Sequence, residues 1–215
     1  MRIAILGGTG PEGLGIAARL AAAGMPVVIG SRSAERANSA ADNLRQRLPD
    51  ADLSAATNCD AAGGAEVVFL AVPWVGMDHI IETCGEKLEG KIVVDTIVPL
   101  RADKGFFDVE VIPEGSAGER LQAKLSRARV VSALKNQSAA HLGNLGHPME
   151  GDVVICGNDD EAKKVVGGLL RRIPDQRPVD AGDLRNCRAL ERMTALLMNL
   201  NRRHRARTSF RITGI

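Results

Sequence analysis

A doubly wound α/β fold with a mainly parallel sheet is what this sequence predicts, and three observations predict it. Short apolar runs alternate with segments of helical length: Arg2 to Leu6 then Pro11 to Ala23, Pro26 to Gly30 then Ser33 to Leu48, Glu66 to Val72 then Val75 to Leu88. Continuous apolar strands separated by helical crossovers belong to a parallel sheet covered on both faces. The first strand hands over to the first helix through a glycine-rich turn. A length of 215 residues, with 45% hydrophobic and 25% charged side chains, suits one large soluble core and leaves little room for a second.

The elements follow in order. The first helix ends at Gly24, and Ser33 is placed to cap the second. Lys91 to Asp95 (KIVVD) continues the strand pattern. The second half is less regular. Gly115 to Ser126 reads as a helix, Arg129 to Leu134 and Asp152 to Cys156 as strands, and Asn158 to Arg172 as a helix behind an Asn/Asp start. Arg177 to Asp180 reads as a strand, Leu184 to Arg205 as a long helix and Phe210 to Thr213 as a final short strand. There is no internal repeat and no low-complexity linker.

Composition excludes several chemistries. With no tyrosine in the chain, no mechanism can use a phenol as acid, base or nucleophile. The cysteines at 59, 84, 156 and 187 are too far apart for a CxxC redox pair or a zinc ribbon, so four reduced thiols and a cytoplasmic location are expected. No His/Asp/Glu spacing suggests a metal site. The opening apolar run is too short for a secretory leader, and no apolar run approaches 18 residues. From Arg185 onward eight arginines face one acid, so a basic tail of +7 hides in a net charge of +2. Without interleaved aromatics that tail does not suggest nucleic acid.

The strongest motif is Gly7-Gly8-Thr9-Gly10-Pro11-Glu12-Gly13. Read as GxGxxG, it uses Gly8 for a tight turn, Gly10 for backbone approach to a pyrophosphate and Gly13 for helix–strand packing, with the helix N-terminus facing the phosphates. This makes the fold Rossmann-type and assigns a dinucleotide to residues 1–156. Residues 157–215 are expected to form a small C-terminal α/β extension on the same core, closing the cleft. The second strand ends Gly30-Ser31-Arg32, with Arg36 four residues on and no acid at the strand end. A hydroxyl and two guanidinium groups there favour the 2′-phosphate of NADP over the bare ribose of NAD. Ala71-Val72-Pro73-Trp74 and Asp95 to Pro99 lie at carboxyl ends of strands, where ligands bind in open α/β sheets. Trp74 is either a cleft wall or a packing residue. After the RVVSAL strand comes a polar cluster, Lys135-Asn136-Gln137-Ser138.

Together GGTGPEG, GSRSAER, AVPW, RVVSAL, CGNDDEAKK, VDAGDLRNCRALE and the closing RITGI resemble the NADPH:F420 oxidoreductases over essentially the whole chain. The resemblance implies hydride exchange between NADP(H) and the deazaflavin coenzyme F420, usually in a homodimer. It also implies that Thr9 to Glu12, Ser31, Arg32, Arg36, Trp74, Val98 and Ala139 contact NADP. The family tends to have a histidine after the SAL strand, where this chain has Lys135. That lysine could stabilise an anionic ring system, or act as the acid/base of a small carbonyl or imine reductase with Asn136 as orienting partner. A non-enzymatic NADP(H) sensor is the remaining alternative. In the F420 reading, Arg185, Arg188 and Arg192 are candidates to meet the carrier's phosphodiester and glutamyl chain.

Overall fold

The computed structural model describes residues 1–215. The first half runs β1 (Ile3–Leu6), α1 (Pro11–Ala22), β2 (Val27–Ser31), α2 (Ala34–Arg47), β3 (Leu53–Thr57), α3 (Asn58–Gly63), β4 (Val67–Leu70), α4 (Met77–Leu88) and β5 (Ile92–Asp95). A hairpin of β6 (Leu100–Asp103) and β7 (Phe106–Val109) follows, then α5 (Ala117–Lys124), β8 (Arg129–Ser132) and α6 (Ala139–Gly143). The chain closes with β9 (Asp152–Gly157), α7 (Asp160–Arg171), β10 (Arg177–Asp180) and α8 (Cys187–His204).

Eight strands form one sheet in the order β3-β2-β1-β4-β5-β8-β9-β10. All neighbours are parallel except β8 and β9, which are antiparallel. The chain therefore starts at the centre and winds outward in both directions, leaving a crevice beside β1 at the carboxyl ends of the strands. Strand side chains alternate between two apolar layers. Ile3, Ile5, Val67, Phe69 and Val94 pack against α1, α2 and α7, whereas Ala4, Leu6, Val68, Leu70 and Val93 pack against α3, α4 and α5. Burial on both faces is the reason these strands read as unbroken apolar runs.

Helix starts follow local chemistry. Ser33, Ser116 and Asp159 cap α2, α5 and α7 through their side-chain oxygens. The N-terminus of α1 differs: Gly10 provides no side-chain cap, and Pro11 opens the first turn.

Four features depart from the sequence reading. No strand forms at Phe210 to Thr213. That segment is held beside β9 instead, where Asp152 N–H donates to Phe210 O (2.9 Å) and Ile212 N–H to Asp152 Oδ2 (2.6 Å). Edge strand β3 escaped notice because Leu-Ser-Ala-Ala-Thr is small and only half-buried. The hairpin turns on Lys104-Gly105, both with positive φ, a geometry for which lysine gives no signal. Finally, Cys59 on α3 and Cys84 on α4 form a disulfide, which corrects the expectation of four reduced thiols. The two helices pack side by side, so a long sequence separation became a short spatial one. Cys156 and Cys187 are free and buried.

The glycine turn is fixed by backbone contacts. A Cβ on Gly13 would stand 2.5 Å from Gly7 O and 2.9 Å from Gly8 Cα, atoms that cannot swing aside. Gly13→Ala should therefore cost about 1–3 kcal/mol in chemical denaturation of the ligand-free protein; an unchanged midpoint would refute this packing role.

Candidate active site

At the carboxyl ends of β1, β4, β5 and β8 lies a cleft of about 480 Å³. Its walls come from five places. The turn before α1 contributes Gly10, Pro11 and Glu12, the end of β4 contributes Ala71 to Trp74, and the end of β5 contributes Thr96, Ile97, Val98 and Leu100. Lys135 to Ala139 follow β8, and α8 with its trailing segment supplies Thr194, Leu197, Met198, Asn201 and Thr208.

Most of the residues singled out from the sequence meet here: Gly10, Pro11, Glu12, Ala71, Val72, Pro73, Trp74, Val98, Lys135 and Ala139 line one cavity. Gly8 and Gly13 lie under the turn, in backbone contact with Ile5 and Gly7. Thr9 and Ser31 bring their hydroxyls to 3.5 Å of each other at the end of β2. Arg32 and Arg36 are exposed beside them, outside the cavity, while the adjacent Glu35 is hydrogen-bonded to Ser33. Neither arginine is held by a carboxylate. Trp74 is a cleft wall, anchored by its indole N–H to Glu110 Oε2 (2.9 Å), with the Arg120 guanidinium 5.7 Å from the ring centre.

Lys135 is the surprise. Leu134, at φ +62°, turns the chain back, and the next side chain runs into the interior, fully buried. Its ammonium lies 2.7 Å from Asp95 Oδ2 and 3.1 Å from Glu191 Oε1, and it also donates to Ile97 O. Desolvation opposes the charge, but its anionic surroundings, led by Asp95, outweigh it and hold the pKa above the ordinary lysine value. Both carboxylates hold further partners: Asp95 accepts from Ser132 Oγ (2.8 Å) and Ile97 N–H (3.0 Å), and Glu191 Oε1 from Ala117 N–H (3.0 Å). Cys187 sits against Ser132 and Glu191, its thiol pushed up to about 12 mainly by burial. Asp95, Cys187 and Glu191 converge as a metal site would, and the cation among them is the lysine. An ammonium so committed does not fit the part of a free acid/base in the cleft.

Glu12 behaves differently. Although half-buried as a residue, its carboxyl is pushed up to about 7, first by burial, with a hydrogen-bonding contact to Thr96 and the charge of Lys135 acting against the shift. The loop from α6 onward is steadied by the buried Arg19 of α1, whose guanidinium faces the carbonyls of His141, Leu142, Asn144 and His147.

The C-terminal extension was expected to close the cleft, but not through Thr194, Leu197, Met198 and Asn201 of α8, because nothing along the chain marks which turn of a long helix crosses a distant cleft. Sequence reasoning also favoured the wrong arginines. Arg185 is paired with Asp183 and Arg188 with Glu119, and neither lines the cavity; nor does Arg192. Arg202, Arg203, Arg205 and Arg207, none in a salt bridge, lie along the chain between the cavity residues Asn201 and Thr208.

A buried cation removed from two carboxylates leaves uncompensated charge. Lys135→Met should lower stability by about 3–5 kcal/mol in denaturant titrations, with much of the loss recovered in Asp95→Asn/Lys135→Met/Glu191→Gln. A proton-transfer role would give the opposite pattern, with unchanged stability and lost turnover.

Comparison with known proteins agrees with this architecture. Residues 2–99 match the family model described as NADP oxidoreductase coenzyme F420-dependent. The F420-dependent NADP reductase of Methanocaldococcus jannaschii is 41% identical, covering 100% of this chain and 99% of that protein. The enzyme of the same name from Methanothermobacter marburgensis is 39% identical over 100% and 99%. A crystal structure assigned to an F420-dependent NADP reductase from an Arthrobacter species superposes with a TM-score of 0.85 and 30% identity over the full length of both chains. With relatives this similar along the entire chain, the protein belongs to the family of F420-dependent NADP oxidoreductases.

Proposed function

We propose that this chain transfers hydride between NADP(H) and coenzyme F420. The observation that carries the reading is the junction of three features: an uncapped α1 N-terminus, a hydroxyl pair with two unpaired arginines beside it, and a cleft continuing from them across the sheet. Backbone N–H groups of the turn receive the pyrophosphate. Gly10 allows that approach, since a Cβ there would meet only Gly7 O at 3.4 Å and would point into ligand space. Ser31, Arg32 and Arg36, with Thr9, hold the 2′-phosphate. Ala71 to Trp74, Val98 and Ala139 enclose the nicotinamide, which supplies the hydride chemistry when bound.

The protein's own task is positioning. Thr96, Ile97 and the Lys135–Ala139 segment form a floor fixed from below, and α8 closes the other side with Leu197 and Met198, so two flat rings can be held face to face with water excluded. Lys135 serves as a positioning residue under this floor. An acid/base role in a carbonyl or imine reductase gains no support from an ammonium already shared by two carboxylates. The anionic tail of F420 is placed against Arg202 to Arg207.

Residues 1–156 form the NADP-binding part in this reading, and residues 157–215 the extension that completes the cleft. No helix is long and apolar enough to cross a membrane. A cytoplasmic location and a homodimer belong to the same proposal; the exposed Phe106, Met193 and Leu196 on the hairpin and α8 support the homodimer alone.

Mixing the protein with NADPH and oxidised F420 should bleach the deazaflavin absorbance, and no turnover at saturating concentrations of both would overturn the assignment. Gly10→Ala should keep the melting temperature of the ligand-free protein while weakening NADPH at least tenfold. Arg32→Ala/Arg36→Ala should weaken NADPH but leave NADH nearly unchanged.

A further inference from the structure

Among the side chains lining the cleft, only Glu12 and Lys135 can titrate at all. The lysine is locked as an ammonium by Asp95 and Glu191, as described above. That leaves one group able to exchange a proton inside the cavity. Glu12 sits on the second residue of α1, between the pyrophosphate-binding turn and the ends of β5 and β8, and no arginine or lysine forms an ion pair with it.

We propose that Glu12 senses the redox state of the bound dinucleotide, standing as a carboxylate beside the oxidised, positively charged nicotinamide and as a carboxylic acid beside the reduced, neutral ring. The inference rests on the NADP(H) reading of the site and deepens it. The physical reason is the difference of one unit of charge between the two forms of the ring. That charge is felt by a largely desolvated carboxyl at the wall of the same cleft. The fixed charges facing Glu12 are Lys135 from beyond β8 and Asp95 from β5, which oppose one another. The end of β4 presents only Ala71 to Trp74, and α8 with its trailing segment presents Thr194, Leu197, Met198, Asn201 and Thr208, all uncharged. The pyrophosphate brings the same charge in both forms of the cofactor, so the ring is what makes the charge around Glu12 differ between them. Its carboxyl is poised for this, since burial already brings its pKa up to about 7 without ligand.

The direction follows from linkage. With the pyrophosphate common to both, bound NADP⁺ holds the Glu12 carboxyl at a lower pKa than bound NADPH, so near pH 7 the NADP⁺ complex carries fewer protons. Oxidised cofactor is consequently favoured as pH rises and reduced cofactor as pH falls. The reduction of F420 by NADPH consumes one hydride and one proton, forming NADP⁺. Once a hydride has left, the positive ring and the neutral acid form an unfavourable pair, so the proton departs as product accumulates.

The test is the ratio of the dissociation constants of NADP⁺ and NADPH, measured by fluorescence or calorimetry between pH 5.5 and 8.5. The 2′-phosphate and pyrophosphate are common to both ligands, so their own titration largely cancels in the ratio. In the wild-type protein the ratio should fall with pH, by up to tenfold per unit between the two bound-state pKa values. Glu12→Gln should flatten it, and Glu12→Asp should restore part of the slope. Independently of any variant, calorimetry of the wild type at pH 7 in buffers of different ionisation enthalpy should show more protons bound on taking up NADPH than on taking up NADP⁺. A ratio that keeps its slope in Glu12→Gln, or equal proton exchange for both ligands, would overturn the proposal while leaving the assigned function intact. Failure to bind either dinucleotide would instead overturn the functional reading on which it rests.

Discussion

The arrangement of this molecule depends on one buried ammonium. Lys135 joins Asp95 at the end of β5 to Glu191 in the first half of α8, and through the carboxylates' further hydrogen bonds to Ser132, Ile97 and Ala117. Four elements that share no local sequence are thereby tied at one point: β5, β8, α5 and α8. Such a cluster is not a cheap source of stability, because desolvating three charged groups consumes most of what their attraction returns. What it provides is registration. Strands β5 and β8 are adjacent in the sheet, and α8 is joined to them in the buried interior through Glu191 and through Cys187, whose thiol lies 3.1 Å from Ser132 Oγ. A charged lock with fixed partners permits one placement of that helix, where an apolar contact would permit several. Thr194, which donates to the carbonyl of Lys135 at 3.1 Å, fastens the same residue from the backbone side.

The cleft then divides its labour along the sheet. Toward β1 it meets the uncapped turn of α1, and beyond it at the end of β2 lie the Thr9–Ser31 hydroxyls and the exposed Arg32 and Arg36, the equipment for phosphates. At β5, β8 and α8 it mixes apolar side chains (Ile97, Val98, Leu197, Met198) with uncharged polar ones, its one strong cation withdrawn beneath the floor. A free lysine at that end would interact with any anionic ring and with passing carbonyl compounds. Pairing it internally leaves a surface selective by shape, which is what hydride transfer between two flat rings requires. The proton is managed separately, at Glu12.

How much of this was legible in the sequence follows from the range of the forces involved. The Gly7–Gly13 turn was readable because strand, turn and helix are consecutive and the steric demand is local, as the clash of a Cβ on Gly13 with Gly7 O shows. Ser31 and Arg32 were readable for the same reason, being fixed to the end of one strand. The role of Lys135 was not: beside Asn136 and Gln137 it read as a cleft lysine free to act on a ring system or a carbonyl. Only the fold reveals that Leu134 turns it inward to carboxylates 40 residues before and 56 after it. The disulfide between Cys59 and Cys84 escaped on the same grounds, since it depends on α3 lying against α4. Edge strand β3 and the β6–β7 hairpin were missed because their side chains are small or exposed, so little hydrophobic pattern was there to be read.

The central claim is that the Lys135 cluster is the fixed point on which α5 and α8 are set. Native-state hydrogen exchange of the Ala117 amide tests it most directly, because that N–H donates to the buried Glu191 carboxylate and belongs to the unpaired first turn of α5. An amide in that position of a helix ordinarily exchanges early. The account predicts that Ala117 exchanges only as slowly as the central strand amides of β1 and β4, through global unfolding. Exchange as fast as in the exposed β6–β7 hairpin would contradict it.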